Sequence, residues 1–293
     1  GSAVKKGGVY RETSFNAIYE NNYGDKTKVT CSDFLFAKDR HTGKTFWKYQ
    51  PQGVIINPSI ALSDKYAIFV ESANTATLGK KTARFDFPEL VQQKGAQIVA
   101  VDLKNGRKVW SQKLKSKGDV RTLHLICEKN NLVLVYSHNS VAKGAEKKTV
   151  HYTTSVYSVD KGTLKWEDTN GTGRKTNLDH GEQDLHPALL GNQLIVEPLI
   201  YDLTNGKRIG KFDRKGYGCG TISASSKSLY YRAGNIATYD LDKKKGETIT
   251  SVNRPGCWIN MIPAGGMLLV PEGSSGCICK FAIQTSMGFV PKK

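Results

Sequence analysis

The sequence lacks several patterns by which common enzymes, nucleic-acid-binding proteins and membrane proteins are identified. No apolar run approaches the length of a membrane-spanning helix, and strong helical periodicity is nearly absent. Neither a GxSxG nor a GxGxxG motif is present, so the ordinary nucleophile elbow and dinucleotide fingerprint are not expected. The chain also has no helix-turn-helix pattern, zinc finger or basic helix, and specific nucleic-acid recognition is therefore not predicted.

Acidic residues are scarce relative to basic ones. The chain carries 43 Lys and Arg against 26 Asp and Glu, which gives a formal net charge of +17. Two interpretations stay open: an ordinary solvated basic surface, or a surface that attracts a polyanion such as a sulfated polysaccharide, envelope lipid or nucleic acid. The lysines gather in short clusters between apolar stretches, at Lys80 and Lys81, at residues 113–117, at Lys147 and Lys148, and at residues 243–245.

No cysteine belongs to a CxxC or CxxCH motif, so neither a thioredoxin-like site nor c-type haem attachment is expected. An even number of cysteines, four of them in the last quarter of the chain, favours an oxidising compartment. No signal peptide is present, but Gly1 and Ser2 are typical of an expression-tag remnant. We therefore expect an exported, periplasmic or cell-surface protein whose export signal was removed. The six cysteines are Cys31, Cys127, Cys219, Cys257, Cys277 and Cys279.

A repeat runs along the chain. The copies share an apolar run, an aspartate, a turn glycine and then an aromatic or aliphatic residue, with glycines roughly 40 to 60 residues apart. A basic residue follows the glycine in three of them. The copies are FLFAKDRHTGKTFW (34–47), IVAVDLKNGRKVW (98–110), SVYSVDKGTLKW (155–166), LIYDLTNGKRIG (199–210) and a weaker IATYDLDKKKGETI (236–249).

Each copy predicts a β-hairpin. The apolar run forms a largely buried strand, and Asn-Gly or Thr-Gly closes a tight turn because glycine adopts positive φ. The third copy has Asp160 only two residues before its glycine, and the fifth pairs Asp242 with Gly246. A tryptophan on the second strand can wedge between neighbouring sheets. The predicted repeat positions are the tryptophans Trp47, Trp110 and Trp166 and the glycines Gly43, Gly106, Gly162 and Gly206.

These copies resemble the repeat of pyrroloquinoline-quinone-type (PQQ-like) β-propellers, in which a strand, an aspartate, a Thr-Gly or Asn-Gly turn and a tryptophan follow one another. The resemblance covers most of the chain and implies an all-β propeller. Three further segments resemble a subgroup of such propellers from planctomycete-type bacteria, which implies no particular function. They are HGEQDLHPALLG (180–191), CGTISASSKSLYYR (219–232) and RPGCWINMIPAGGMLLVPEGSSGCICKFAIQTSM (254–287).

Periods of about 40 to 50 residues predict four-stranded blades arranged radially. We expect six blades, or seven if the N-terminal segment completes a further sheet. Residues 1–8 are expected to be the tag remnant and a flexible N-terminus, and residues 9–293 a single propeller domain. The innermost strands are predicted near residues 14–19, 56–62, 122–128, 186–190, 220–225 and 258–264.

The resemblance implies two functional classes, because PQQ-like propellers include quinoprotein dehydrogenases and scaffolds, among them the lipoprotein of the outer-membrane protein assembly machinery. A quinoprotein needs calcium bound by Glu, Asn and Asp, a stacking tryptophan and commonly adjacent cysteines, and the chain has no Cys-Cys dipeptide. We therefore expect no catalytic residues and a binding or scaffold module, with a PQQ-type oxidoreductase or metal-binding redox protein as the alternative. The partner would be a protein, an anionic polysaccharide or another envelope component. The insertion 73–94 would be a recognition element, or instead a disordered or edge-covering loop.

Histidines and the late cysteines form a candidate metal site. Two histidines flank two carboxylates in residues 180–186, a spacing suited to a transition metal, although such histidines are often structural. Loops that enter the innermost strands share one face of a propeller with loops that join the second and third strands, which predicts that these groups converge. The cysteines would form disulfides, bind zinc or copper, or remain inert thiols. The candidates are His180, His186, Cys219, Cys257, Cys277 and Cys279.

Overall fold

The computed structural model describes residues 28–116, 120–140, 143, 148–176, 186–212, 214, 218, 220–256, 260–272 and 285–291, and the backbone of Ser2–Val4. The chain is all-β, as predicted, with 56 % strand and 5 % helix. Its contacts divide it into two compact units, Gly1–Gly171 and Thr172–Lys293. Within the described ranges, no helix is long and apolar enough to cross a membrane.

The first sheet combines an early hairpin with the strands of the next repeat. Its strands are β1 (Ser2–Val4), β2 (Lys28–Lys38), β3 (Thr45–Tyr49), β4 (Ile55–Ile56), β5 (Ala61–Leu62), β6 (Tyr66–Ser72), β7 (Arg84–Asp86), β8 (Ala96–Asp102) and β9 (Lys108–Lys113). The path runs β1-β2-β4-β6-β8-β9, while β3 and β7 pair with β2 and β5 pairs with β6. A 3₁₀ turn, Asn57–Ser59, breaks the strand predicted near residues 56–62, because Pro58 has no N–H to continue a ladder.

Three four-stranded sheets and one three-stranded sheet follow in the described part of the chain, each with consecutive strands as neighbours. Their first strands lie within or overlap the innermost strands predicted for those four repeats, although three are shorter than predicted. The innermost strand predicted near residues 14–19 lies outside the described residues. The strands are β10 (Val120–Glu128), β11 (Asn131–Ser140), β12 (Lys148–Ser158), β13 (Leu164–Thr176), β14 (Ala188–Leu190), β15 (Gln193–Val196), β16 (Leu199–Asp202), β17 (Arg208–Lys211), β18 (Ser223–Ala224), β19 (Ser228–Ala233), β20 (Asn235–Asp240), β21 (Lys245–Thr250), β22 (Ile262–Ala264), β23 (Met267–Val270) and β24 (Met287–Phe289).

The turn of the repeat is held by its first residue. In the first copy the N–H of Gly43 donates to the carbonyl of Asp39 at 2.9 Å, and the N–H of Asp39 donates to the carbonyl of Lys44 at 2.8 Å. The Asp39 carboxylate also accepts the N–H groups of His41 and Thr42. The glycine has a φ of +71°, which explains the preference for glycine there. The same two backbone hydrogen bonds recur at Asp102 and Gly106, Ser158 and Gly162, and Asp202 and Gly206.

The third copy keeps this geometry with a different residue at its start. Ser158, not Asp160, stands four residues before the turn glycine, and its Oγ accepts the N–H of Lys161 at 3.3 Å. The turn therefore keeps its length in this copy, because a serine hydroxyl stands where the other copies have a carboxylate.

The fifth copy has no turn glycine at all. Gly246, predicted as its turn residue, lies inside β21. Lys244 has a φ of +54° and stands four residues after Asp240, whose carboxylate accepts the N–H groups of Asp242 and Lys243. The turn predicted at Gly246 therefore lies two residues too late. Its position follows from the spacing of four residues between the first aspartate, Asp240, and the residue with positive φ, Lys244.

Tryptophan joins neighbouring repeats in the first unit at two of the three predicted positions. The Trp47 indole Nε1, on β3, donates to the carbonyl of Leu103 at 2.7 Å. Its ring lies so close to Gly106 that an added Cβ would stand 2.7 Å from the ring carbons. Trp110 on β9 makes the same two contacts, with the carbonyl of Val159 at 2.9 Å and with Gly162. The third tryptophan, Trp166, lies on β13, the fourth strand of its sheet.

Two apolar cores of the first unit lie on either side of β6 and β8. One contains Leu35, Trp47, Phe69, Val99 and Val101, so the β2–β3 hairpin covers one face of the second repeat. The other contains apolar residues of β8, β10 and β11. In the second unit, separate cores join β15 to β19 and β19–β20 to β23.

The insertion 73–94 is built into the core of the first unit. Its strand β7 pairs with the start of β2, and its π-helical turn, Pro88–Gln92, buries Leu90 and Val91. Phe85 is only 2 % exposed and Leu90 is fully buried. The segment therefore extends and covers a sheet, which matches the edge-covering alternative rather than an extended recognition loop.

Candidate functional site

The repeated turns of the first unit meet at one end of their sheets. The N–H of Leu103, the residue after the turn aspartate, donates to the carbonyl of Lys65 at 2.9 Å. Because Trp47 donates to the carbonyl of the same leucine, three segments are tied together at this residue. Val159 is the equivalent residue of the next repeat, and its N–H donates to the carbonyl of Asn130 at 3.5 Å. We call this surface the turn end, formed by residues 39–44, 63–65, 102–107, 129–130 and 158–163.

The turn end carries many exposed cations and few partners for them. Lys65 forms an ion pair with Asp160, at 3.3 Å, between two neighbouring repeats. Within the described residues, no carboxylate lies at ion-pairing distance from the other cations of this surface. All six of them are exposed: Arg40, Lys44, Lys104, Arg107, Lys129 and Lys161.

Among the described residues, the aspartates at the start of the turns form no ion pair with these cations. Backbone and side-chain hydrogen bonds from Thr42 hold the pKa of Asp39 below its usual value. The side chain and backbone N–H of Thr204 lower the pKa of Asp202 in the same way. Their carboxylates are committed to the turn backbone, so their role is to fix the loop.

The fifth turn, in the second unit, is also lysine-rich but is locally neutralised. Lys227 pairs with Asp242 at 3.5 Å, and Lys243 pairs with Asp240 at the same distance. Lys245 pairs with Glu247 at 2.9 Å. The sequence cluster at residues 243–245 therefore contributes less unpaired charge than its composition suggests.

Of the predicted metal ligands, only His186 falls within the described residues. The backbone N–H of His186 donates to Thr221 Oγ1 at 3.1 Å, and the Thr221 hydroxyl donates to the backbone carbonyl of His186 at 2.9 Å. The entries to β14 and β18 are therefore neighbours. Burial lowers the pKa of His186, which favours the neutral ring. His180 and the four cysteines Cys219, Cys257, Cys277 and Cys279 lie outside the described residues, so their convergence stays a prediction.

No group of three metal-ligating side chains occurs in the part of the chain that the structure describes. Two cysteines are described there, both as thiols. The Cys31 thiol donates to the carbonyl of Val29, and burial raises the pKa of Cys127 to about 12. A thiol with so high a pKa is a poor nucleophile at neutral pH.

A pair of stacked histidines was not expected from the sequence. His138 and His151 lie directly opposite each other on β11 and β12, with ring centroids 5.3 Å apart and an angle of 21° between the planes. Ser140 Oγ lies 2.7 Å from His151 Nε2. Burial, followed by the charge of His151, lowers the pKa of His138. Only the strand register brings them together, because they are thirteen residues apart.

Two buried carboxylates have structural partners. Glu71 is fully buried and accepts hydrogen bonds from Tyr49 Oη at 2.9 Å and Gln97 Nε2 at 2.7 Å. Burial raises the pKa of Glu71, and the hydrogen bonds oppose that shift. In the second unit Glu197 pairs with Arg214 at 2.8 Å, with both side chains almost entirely buried. Each carboxylate links separate strands or loops, so both are interpreted as structural.

The second unit contains an open apolar cleft of about 480 Å³ between β18–β21 and β22–β24. Its size falls in the range of small-molecule sites, and its polar group is the Ser225 and Tyr230 hydroxyl pair, 3.3 Å apart. Its apolar lining includes Ile249, Met267, Leu268 and Phe289.

Comparisons with known proteins give no family assignment. No family model matches the chain, and no curated protein matches it. Among solved structures, the chain is similar to an acylaminoacyl peptidase from Pyrococcus horikoshii, in its orthorhombic crystal form, with a TM-score of 0.46 and 13 % identity. That match covers 84 % of this chain and 41 % of the peptidase chain, so this chain spans less than half of that protein's length. A likeness at this level carries no argument about function.

Proposed function

We propose that this protein is a non-catalytic binding or scaffold module, built as a β-propeller of PQQ-like repeats, that presents its loops to an envelope partner. The observation that carries the proposal is the repeated contact of a tryptophan with the turn of the next repeat, at Trp47 with Leu103 and at Trp110 with Val159. In both cases the contact points to the next repeat, and further contacts of this kind would generate the regular succession of sheets that builds a propeller.

Partly exposed faces at the two ends of the repeat series support closure of the ring. Val99 and Val101 are fully buried against the preceding hairpin. Phe36 and Lys38 hold the equivalent positions in the first copy, and they are only half-buried and exposed, respectively. A closed propeller places its first and last sheets side by side, and this arrangement would cover the face that carries Phe36.

The last sheet also has an apolar face that its own unit leaves exposed. Ile262 is 55 % exposed, Met267 41 % and Leu269 37 %, whereas the alternate residues Leu268 and Val270 are buried. Since side chains alternate across a strand, the exposed residues share one face. Exposed apolar faces of this kind commonly mark interaction surfaces. In a closed ring this face would pack against the first sheet of the same chain.

The quinoprotein alternative fits the described residues poorly. The Trp47 ring is buried against one turn glycine and the Trp110 ring is half-buried against another, so neither ring is fully open to a quinone. Reconstitution with PQQ and calcium, followed by absorbance spectroscopy and a dye-reduction assay, separates the classes. A scaffold gives no quinone spectrum and no dye reduction, whereas saturable PQQ binding with reduction of the dye would establish the oxidoreductase.

Export and disulfide formation remain part of the proposal. Six cysteines in an exported chain of this size favour disulfides, and the four late cysteines are the candidates. Peptide mapping by mass spectrometry under non-reducing conditions should recover cross-linked peptides among Cys219, Cys257, Cys277 and Cys279. If all four are alkylated without reduction and the protein carries no zinc or copper, the disulfide and metal interpretations both fail.

A further inference from the structure

We propose that the turn end of the first unit binds an anionic polysaccharide, a partner assignment that rests on the proposed binding function. Lys44, Lys104 and Arg107 are exposed there. Within the described residues none of the three has a carboxylate at ion-pairing distance. A polyanion would neutralise them and release its own counterions, which gives a favourable and salt-dependent binding free energy.

The turns that carry these cations are held in fixed positions. The turn of the second repeat is bound on one side by the Trp47 indole and on the other by the Lys65 carbonyl. The Lys65 side chain then reaches Asp160 of the third repeat. The turn end therefore carries seven cations against four carboxylates, and its tethered turns present this excess of positive charge without the need for rearrangement when an extended anion binds.

A polysaccharide fits this surface better than a nucleic acid does. Single-stranded nucleic acids are bound through aromatic side chains on which bases stack, and Trp47 and Trp110 are instead packed against Gly106 and Gly162. Duplex DNA is read by a helix or ribbon that enters a groove, and the turn end consists of short β-turns. The features that the turn end offers to a ligand are the positive charge and the fixed spacing of its cations. These features suit a flexible polymer that carries sulfate or carboxylate groups.

The fifth turn supplies a matched control because its lysines are ion-paired. The triple substitution Lys44→Gln, Lys104→Gln and Arg107→Gln removes three unpaired cations. The triple substitution Lys227→Gln, Lys243→Gln and Lys245→Gln changes the net charge equally but removes cations already paired with Asp242, Asp240 and Glu247. All six positions are exposed, so both variants should keep the fold, which circular dichroism and thermal unfolding will check.

The test is the affinity of the full chain for heparin, a sulfated polysaccharide, measured over a range of salt concentrations. We expect binding that weakens with salt, and a log–log salt slope that falls by roughly three for the turn-end variant, about one for each cation removed. The control variant should keep most of the slope. Equal losses in both variants would overturn the assigned surface while leaving polyanion binding intact.

Two further outcomes separate the partner from the general function. If the unsubstituted protein fails to bind heparin even at low salt, the anionic-partner proposal fails, whereas the scaffold proposal can still be tested with PQQ. If single-stranded or duplex DNA competes as strongly as heparin for each negative charge, and the turn-end variant loses that binding too, the polysaccharide assignment is overturned in favour of a nucleic acid.

Discussion

The indole Nε1 of Trp47 lies 2.7 Å from the carbonyl oxygen of Leu103, fifty-six residues further along the chain. The same carbonyl-bearing residue donates its own N–H to Lys65, and the indole ring lies against Gly106. Trp47 therefore makes two contacts with the next repeat. Its indole N–H donates to a backbone carbonyl, and its ring packs where the glycine has no side chain. Trp110 and Val159 repeat the relationship one sheet later.

A methyl group at Gly106 should disrupt this contact. The Gly106→Ala Cβ would stand 2.7 Å from the Trp47 ring, whereas Gly43, which has the same φ of +71°, has nothing within 4 Å of that position. Both substitutions incur a left-handed backbone cost of about 1–2 kcal/mol. Only Gly106→Ala adds overpacking, about 1–3 kcal/mol more.

Urea denaturation followed by circular dichroism will measure both free energies of unfolding. Equal losses for Gly43→Ala and Gly106→Ala would show that the Trp47 contact contributes nothing beyond the turn itself.

Substitution in the insertion should reveal whether it belongs to the core. Leu90 is fully buried, while Leu62 is 65 % exposed. Leu90→Ala should lower the free energy of unfolding by about 2–5 kcal/mol, and Leu62→Ala by no more than about 0.5 kcal/mol. Chemical denaturation of the two variants checks this, and a Leu90→Ala variant as stable as Leu62→Ala would restore the recognition-loop interpretation.

Acid stability should depend on the turn aspartates. Hydrogen bonds from Thr204 lower the folded-state pKa of Asp202, so its contribution is present above the unfolded pKa and is lost as pH falls through the folded one. Asp202→Asn keeps a side-chain oxygen acceptor without a titratable group. The unfolding free energy of this variant should therefore fall less than that of the unsubstituted protein between pH 5 and pH 2.

Asp64 is the control for this measurement, because it is exposed in the loop before β6. The Asp64→Asn variant should keep the acid dependence of the unsubstituted protein. A flattening in Asp64→Asn as large as that in Asp202→Asn would mean that the turn hydrogen bonds are not its cause.

The stacked histidines predict a second pH effect. Burial lowers the folded-state pKa of His138, so the unfolded chain binds a proton more readily and stability falls as pH drops from about 7 through the folded pKa. His138→Gln should flatten this slope between pH 7 and pH 5. His186, whose pKa is also lowered, will leave a residual slope of the same sign.

Exposed His41 provides the comparison. Thermal unfolding across this pH range should give the same slope for His41→Gln as for the unsubstituted protein. A slope unchanged in His138→Gln would contradict the role assigned to the His138 and His151 pair.

Sequence reasoning succeeded where one local pattern determines the structure. The glycine turns and the tryptophan positions follow from φ preference and ring size, and Trp47 and Trp110 were placed correctly. It failed where a partner distant in sequence decides. The insertion contains no periodic pattern that predicts the burial of Leu90 against another strand, and the histidine pair depends on the register of β11 and β12. In the fifth copy the prediction placed the turn at Gly246, but the residue with positive φ is Lys244.

Ring closure is the central claim, and intramolecular photo-cross-linking tests it most directly. A photoreactive amino acid in place of Leu269, on the exposed face of the last sheet, should cross-link within the same chain to residues 34–48, as identified by mass spectrometry at low protein concentration. The same label at Ile209, exposed on an outer strand of a different sheet, should not reach those residues. Recovery of intrachain cross-links from position 269 but not from position 209 is the result that a closed propeller predicts. Cross-links from position 269 that form only between chains, or that never reach residues 34–48, would contradict it.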